Sequence, residues 1–178
     1  MVLKNINLDV GIPQGVSVHI VGSLVEINGP KGNVKRDFYH PKISIKTEGN
    51  LIKVEGKKLN SKEKMIVPTF KAIIENNVNG VINPYIYELK ICSGHFPIKV
   101  DIEGKKLVVR NLLGEKVPRI IEIPSNVKVN VSGNVVSVES SDRALAGQTA
   151  ASIEKITIRP GFDKRVFQDG IYITKKAD

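Results

Sequence analysis

The same sequence unit occurs twice along this chain of 178 residues, and the repeat limits the possible folds more than any other feature. In a first block, glycines and branched aliphatic residues match in pairs: Val18 with Val100, Ile20 with Ile102, Gly22 with Gly104, Ile27 with Val109 and Gly32 with Gly114. In a second block the pairs are Ile43 with Val127, Ile45 with Val129, Gly49 with Gly133, Asn50 with Asn134, Ile52 with Val136 and Val54 with Val138. Later, Ala72, Ile74 and Glu75 match Ala151, Ile153 and Glu154. Two similar modules in tandem favour a scaffold or binding protein over an enzyme, because a catalytic cleft usually needs unlike walls.

The repeat divides the chain into three parts. We predict a first repeat over 1–80, a second repeat over 81–158 and a C-terminal tail over 159–178. A domain as small as one repeat buries only about 60 % of the surface that its unfolded chain exposes. Each repeat is therefore expected to be marginally stable alone.

Each copy reads as four strands followed by one helix. Short runs of alternating apolar residues predict strands, and Glu48-Gly49-Asn50 predicts a hairpin turn, since Gly and Asn tolerate positive φ. The predicted fold class is therefore α+β: two tandem duplicated domains, each an antiparallel β-sheet packed by one helix. The segment 85–91 is predicted to be an extended link between the domains.

The helix boundaries follow from caps and breakers. The first helix is predicted over 60–79, with Gly80 just past its end. Pro68 leaves two alternatives open, a helix that kinks there or one that begins there. The second helix is predicted to start after Ser141 or Asp142 and to run to about Glu154.

The charge balance points to a polyanionic partner. Lys and Arg number 27 against 18 Asp and Glu, which gives a net charge of +9. A solubilising basic surface is an equally good interpretation of composition alone. Sequence motifs must therefore decide between the two.

The sequence offers little for catalysis or metal binding. His19, His40 and His95 are far apart and lack ligand spacing, and the single cysteine, Cys92, is predicted to be a buried thiol. The segment 29–32 lacks the Gly-Lys-Ser/Thr ending of a phosphate loop and is predicted to be a tight turn that presents Lys31. No apolar run approaches the roughly 20 residues that span a bilayer. We therefore predict no cofactor, no metal, no membrane contact and no small-molecule substrate.

The C-terminal tail combines cations with aromatic residues. Arg159-Pro160-Gly161 interrupts regular structure, so the tail is predicted to leave the second domain as an extended arm. Phe167 and Tyr172 lie among Lys and Arg residues, and such aromatics can pack on sugars or bases. This composition favours an RNA partner.

The motifs of the chain resemble those of one known family. Its closing signature is matched by Arg165, Phe167, Asp169, Gly170, Ile171, Tyr172, Ile173 and Lys176. Further motifs are Gly29-Pro30-Lys31-Gly32, Arg36 with Phe38 and His40, Ser93-Gly94-His95-Phe96-Pro97, and Val109-Arg110-Asn111 with Leu113-Gly114-Glu115-Lys116. Together they resemble the universal protein six of the large ribosomal subunit, in its archaeal and eukaryotic branch, over essentially the whole chain. Phe162 departs from the family pattern, which usually has Lys or Arg there, and 159–161 is also atypical.

The resemblance implies a structural role without catalytic activity. It implies that the protein binds large-subunit rRNA in the cytoplasmic ribosome, mainly through the second repeat and the tail, close to the sarcin-ricin loop and the base of the factor-recruiting stalk. Neighbouring large-subunit proteins and the stalk base are the implied protein partners. The residues carried over as RNA contacts are His95, Arg110, Asn111, Lys116, Arg159, Lys164, Arg165, Tyr172, Lys175 and Lys176.

These candidates have different expected roles. The Lys and Arg side chains would pair with phosphates and fix position. His95 and Tyr172 could stack on a base or hydrogen-bond to a base or a 2′-hydroxyl, and Tyr172 could equally be a core residue.

Two other functions stay open at the level of sequence. A protein-interaction module could bind an acidic protein through the same basic surface. An RNA-processing enzyme would require His40 or His95 beside a carboxylate in a cleft.

Overall fold

The computed structural model describes residues 4–163 and 165–177. The chain forms two compact units, Met1–Pro84 and Tyr85–Asp178, called unit 1 and unit 2 below. The boundary lies a few residues later than the 80/81 division drawn from the repeat, because the helix of unit 1 continues to Ile82.

Unit 1 contains two small antiparallel sheets and a helix. Its described elements are β1 (Lys4–Gly11), β2 (Ser17–Val21), β3 (Leu24–Gly29), β4 (Gly32–Asp37), β5 (Ile43–Glu48), β6 (Leu51–Leu59), a 3₁₀ turn (Glu63–Met65) and α1 (Ile66–Ile82). The strand orders are β1-β6-β5 and β2-β3-β4. Apolar residues from both sheets and from α1 form one core, including Ile27, Ile52 and Ile74.

Unit 2 repeats this plan and extends it. Its described elements are β7 (Tyr85–Cys92), β8 (Lys99–Glu103), β9 (Lys106–Arg110), a 3₁₀ turn (Leu112–Gly114), β10 (Arg119–Glu122), β11 (Lys128–Ser132), β12 (Val135–Ser140), α2 (Arg143–Ile156) and β13 (Gly170–Lys175). The strand orders are β11-β12-β7-β13 and β10-β9-β8. The predicted α+β class with two duplicated domains is confirmed, although the described part of each copy holds more strands than the four expected.

The repeat is visible in equivalent positions of the two units. Gly49 and Gly133 both take positive φ, at +59° and +57°, in two-residue hairpin turns. Ile74 on α1 and Ile153 on α2 are both fully buried. The predicted match in register between the two copies is therefore confirmed in these elements.

The segment predicted as a link between the domains is in fact an inner strand. β7 lies between β12 and β13, and Leu89 and Ile91 on it are buried. β1 is its counterpart in unit 1 and pairs with β6, but it lies at the edge of its sheet. The predicted extended backbone is confirmed, but the linking role is wrong, because Tyr85, Leu89 and Ile91 are buried and the segment belongs to the sheet of unit 2.

Both helices begin at recognisable sequence signals. Pro68 lies in the first turn of α1, where its missing N–H costs nothing, so the helix begins near this residue and does not kink there. Gly80 is buried inside α1, and the prediction that it follows the helix is wrong. Asp142 caps α2 as predicted, because its carboxylate accepts the N–H groups of Ala144 and Leu145 at 2.8 and 3.4 Å.

Part of the tail is a strand and not an arm. Gly170–Lys175 pairs antiparallel with β7, with Ile171 opposite Ile91. Ile171 is fully buried in the core of unit 2. The prediction of an extended arm is wrong here, because the apolar residues of the tail gain more by completing the sheet than by remaining in water.

Candidate nucleic-acid interface

Three connecting segments meet at one end of unit 2. They are 93–98 between β7 and β8, 111–118 between β9 and β10, and 157–169 between α2 and β13. In unit 1 the link that corresponds to 111–118 is only the tight turn of Pro30 and Lys31. The candidate interface is therefore built largely from segments in which the second copy departs from the first.

Asp169 joins segment 157–169 to segment 93–98. One oxygen of its carboxylate, Oδ1, accepts the N–H groups of Gly94 and His95 at 2.7 and 3.0 Å. The other, Oδ2, lies 2.6 Å from Nδ1 of His95. The Asp169 side chain is 1 % exposed and that of His95 is 43 % exposed, so a buried carboxylate holds an accessible imidazole.

The environment of Asp169 stabilises its ionised form. Burial by itself raises the pKa of this carboxyl, but the hydrogen bonds from His95 and Gly94 outweigh burial and lower the pKa from 3.8 to about 2. Asp169 therefore carries a negative charge at neutral pH and acts only as a hydrogen-bond acceptor.

Segment 111–118 contacts each of the other two segments. Asn111 donates from Nδ2 to the carbonyl oxygen of Pro97 at 3.0 Å, which ties it to segment 93–98. Glu115 lies 3.7 Å from the guanidinium of Arg159, which ties it to segment 157–169. The three segments thus contact one another in pairs.

Arg119 anchors the same segment to the end of α2. Its guanidinium binds both carboxylate oxygens of Glu115 at 2.8 and 2.7 Å and donates to the carbonyl oxygen of Ile156 at 2.5 Å. Hydrogen bonds from Arg119 lower the pKa of the Glu115 carboxyl, although burial opposes the shift. Sequence reasoning missed Arg119, yet the Glu115–Arg119 spacing and the position at the start of a strand were available as signals.

The backbone of segment 111–118 is strained. Asn111 and Leu113 adopt left-handed φ values of +60° and +49°. Asn tolerates this region, whereas for Leu it costs roughly 1–2 kcal/mol. The strain coincides with the place where the repeat diverges, which is typical of a segment shaped for contact rather than for stability.

A row of flat groups crosses this end of unit 2. The rings of His95 and Phe167 lie 5.0 Å apart, and those of Phe167 and Phe162 lie 4.9 Å apart. The guanidinium of Arg159 covers the Phe162 ring at 4.4 Å. These partly exposed aromatic and guanidinium faces are suited to stacking with bases.

The predicted contact residues are distributed unevenly. His95, Asn111, Lys116, Arg159 and Arg165 belong to the three segments. Tyr172, on β13, lines a cavity of about 20 Å³ with Arg159, Phe162 and Phe167. Its ring is half-buried, and burial raises the pKa of its phenol. Lys164 lies outside the described residues.

The remaining predicted contact residues are less available to bind a nucleic acid. Arg110 bridges Asp101, at 2.7 Å, and Glu103 on β8, so its charge is already neutralised. Lys175 lies 3.8 Å from Glu88 at the far end of β13, and the exposed Lys176 follows it. Arg110 adjoins segment 111–118 but is already paired, and Lys175 and Lys176 lie outside the three segments.

Two of the cations at the interface differ in their partners. The Arg165 side chain is 89 % exposed and binds Asp163 through Nη2 at 2.8 Å. Lys116 is exposed and pairs with no carboxylate in the part of the chain that the structure describes. Sequence reasoning did not single out Phe162 or Asp169 as site residues, although Asp169 belongs to the closing signature and Phe162 was noted as a departure from the family pattern.

His95 does lie beside a carboxylate, as an enzyme would require. The Asp169 carboxylate, however, is committed to two backbone N–H groups, and the adjoining cavity of about 20 Å³ has room for about one water molecule. Within residues 4–163 and 165–177, no three His, Cys, Asp or Glu side chains are close enough to hold a metal ion. The geometry supports a positioned imidazole and not a substrate cleft.

In the described part of the chain, neither helix has the length and apolarity needed to cross a membrane.

Comparisons with known proteins cover both units. A family model described as "Ribosomal protein L6" matches residues 12–83 and 96–170. The large ribosomal subunit protein uL6 of Methanosarcina mazei is 41 % identical to this chain, over 98 % of this chain and 99 % of its own length. The proteins of the same name from Desulfurococcus amylolyticus and Nanoarchaeum equitans are 44 % and 40 % identical, over 95 % and 97 % of this chain and 94 % of their own lengths.

Proposed function

The chain belongs to the ribosomal protein L6 family and is a structural constituent of the large ribosomal subunit, and we propose that it binds large-subunit rRNA. The binding surface is the end of unit 2 formed by 93–98, 111–118 and 157–169. The bound RNA lies near the sarcin-ricin loop and the base of the factor-recruiting stalk. Membership places the chain in the cytoplasmic ribosome, among rRNA and other ribosomal proteins. The relatives are named as ribosomal proteins and not as enzymes, which agrees with the prediction of a non-catalytic protein.

The convergence of the three segments carries this proposal. The cations Lys116, Arg159 and Arg165 lie on the same three segments as His95 and Phe167, whose rings are 5.0 Å apart. Cations bind phosphates and position the protein, while exposed aromatic faces take unstacked bases, so the combination suits a folded RNA with looped-out nucleotides.

The proposal divides the predicted contacts into two groups. Lys116, Arg159 and Arg165 contribute most of the phosphate binding. Arg110 contributes less because it binds two carboxylates, those of Asp101 and Glu103, and Lys175 contributes less because it lies at the end of β13 far from the three segments.

Filter binding tests the proposal with a transcript that spans the sarcin-ricin loop and the stalk base. A triple variant, Lys116→Gln with Arg159→Gln and Arg165→Gln, should lower affinity on the order of 100-fold at 0.1 M salt, because three phosphate contacts are lost. A matched triple variant in unit 1, Lys57→Gln with Lys58→Gln and Lys62→Gln, removes the same charge from exposed positions.

The matched variant should retain most of the affinity. Equal losses in the two variants would show that net charge alone drives binding, and the proposed interface would be wrong. A scrambled transcript of equal length supplies the non-specific baseline.

A further inference from the structure

His95 uses only one of its two ring nitrogens inside the protein. Nδ1 contacts Asp169 Oδ2 at 2.6 Å, while Nε2 forms no hydrogen bond with any residue in the described ranges. The ring is 43 % exposed and packs at a tilt of 30° on Phe167, which limits its rotation. Nε2 is therefore a polar atom in a fixed orientation with an unused hydrogen-bonding position.

The contacts of Asp169 decide what Nε2 can do. The carboxylate is ionised and can only accept, so the proton between the two groups belongs to Nδ1 of His95. In the neutral ring the second nitrogen then carries a lone pair and no hydrogen. In this neutral form Nε2 is an acceptor and needs a partner that donates.

We infer that Asp169 is a positioning residue that fixes His95 as a hydrogen-bond acceptor, and that His95 Nε2 accepts the 2′-hydroxyl of a ribose in the bound rRNA. This inference rests on the proposed function. Along an RNA backbone the 2′-hydroxyl is the only donor, since phosphate and ring oxygens only accept. The contact therefore distinguishes ribose from deoxyribose, which the phosphate-binding cations cannot do.

His40 supplies an internal comparison. Its Nδ1 accepts the backbone N–H of Lys42 at 3.2 Å, so the proton of its neutral ring belongs on Nε2. The two histidines are expected to show opposite tautomers in the same sample.

Asp169→Asn reverses the direction of the hydrogen bond to Nδ1 of His95 with little change of side-chain shape. The remaining oxygen keeps the N–H groups of Gly94 and His95, because both bind Oδ1. The new amide nitrogen can only donate, so Nδ1 of His95 becomes the acceptor and the proton moves to Nε2. The variant thus converts the outer nitrogen from acceptor to donor.

The first measurement is long-range ¹H–¹⁵N correlation of the histidine rings in the free protein at alkaline pH. We expect the Nδ1–H form for His95, the Nε2–H form for His40, and conversion of His95 to Nε2–H in Asp169→Asn. An Nε2–H form of His95 in the unmodified protein would overturn the inference.

The second measurement is 2′-deoxy interference mapping on the transcript of the sarcin-ricin loop and stalk-base region. At least one deoxy substitution should block binding to the unmodified protein, and this block should vanish with His95→Ala and with Asp169→Asn. It should persist with His40→Ala. If Asp169→Asn fails to fold, His95→Ala alone tests the inference, because this variant keeps both hydrogen bonds from backbone N–H groups to the Asp169 carboxylate.

The outcomes separate the two proposals. Tight binding with an interference pattern that His95→Ala does not change would overturn the inference and leave the proposed function intact. Failure of the unmodified protein to bind the transcript would overturn both.

Discussion

The hydroxyl of Thr157 accepts the backbone N–H of Ile171 at 3.1 Å, and this bond attaches the C-terminal strand to the end of α2. Both residues are buried. Two residues further along β13, the N–H of Ile173 donates to the Glu154 carboxylate at 3.1 Å. Side chains at the C-terminal end of α2 and at its cap therefore accept two backbone N–H groups of β13 that do not pair with β7.

Truncation after Ile158 should unfold unit 2 rather than detach an arm. The deletion removes Ile171 from the core, Asp169 from the candidate interface and a whole strand from the sheet. Amide resonances of unit 2 should collapse to unfolded positions in ¹H–¹⁵N spectra while those of unit 1 stay dispersed. A chain that ends at Lys175 keeps β13 and serves as the control. Dispersed unit 2 resonances in the truncated chain would contradict the structural role of the tail.

Thr157→Val should destabilise unit 2 by about 1–3 kcal/mol, because the buried N–H of Ile171 loses its acceptor. Urea unfolding of unit 2 measures the loss, and amide exchange at Ile171 should accelerate. Thr157→Ser retains the hydroxyl and should stay close to the unmodified protein. Equal stability of the Val and Ser variants would mean that the bond contributes nothing.

Asp169 should make the stability of unit 2 depend on acidity. Its pKa is about 2 in the folded protein against an ordinary 3.8, so ionisation stabilises the fold above pH 3.8. The difference corresponds to about 2 kcal/mol, lost as the pH falls from about 4 to 2. Unfolding of the unmodified protein and of Asp169→Asn should be compared from pH 7 to 2. The two should converge at the acidic end, and a constant gap would exclude this linkage.

Lys116 and Arg110 should respond differently to salt. Lys116→Gln removes a cation without a carboxylate partner among the described residues, so the slope of log affinity against log salt should weaken by about 1. Arg110→Gln removes a charge that Asp101 and Glu103 already neutralise and should change the slope much less. Binding of the transcript measured at several KCl concentrations gives both slopes. A larger change for Arg110→Gln would mean that RNA displaces its carboxylates.

Gly29→Ala should destabilise unit 1 by about 1–3 kcal/mol, because the close contact between β3 and α1 leaves no room. A Cβ there would lie 2.6 Å from Val81 Cγ2. Gly11→Ala, at the end of β1, is the matched control, since a Cβ there would meet no atom within 4 Å. Thermal unfolding of unit 1 should separate the two variants, and similar transition temperatures would refute the packing constraint.

Local signals in the sequence were sufficient where the interactions are local. The hairpin glycines Gly49 and Gly133, the cap at Asp142 and the start of α1 near Pro68 involve neighbours a few residues away. The duplication and the family motifs depend only on the order of residues. For these reasons the α+β class, the tandem repeat and the non-catalytic role were predictable.

The amino-acid sequence by itself therefore determined the two-copy plan and the kind of partner. Only the tertiary structure decided that β7 lies inside a sheet, that β13 completes it, that Arg110 is neutralised and that Asp169 holds His95. β13 pairs with a strand far back in the chain, and Asp169 binds a loop 74 residues away. Such pairings depend on which surfaces meet after the chain collapses, because alternation shows that a strand has a buried face but not which strand lies beside it.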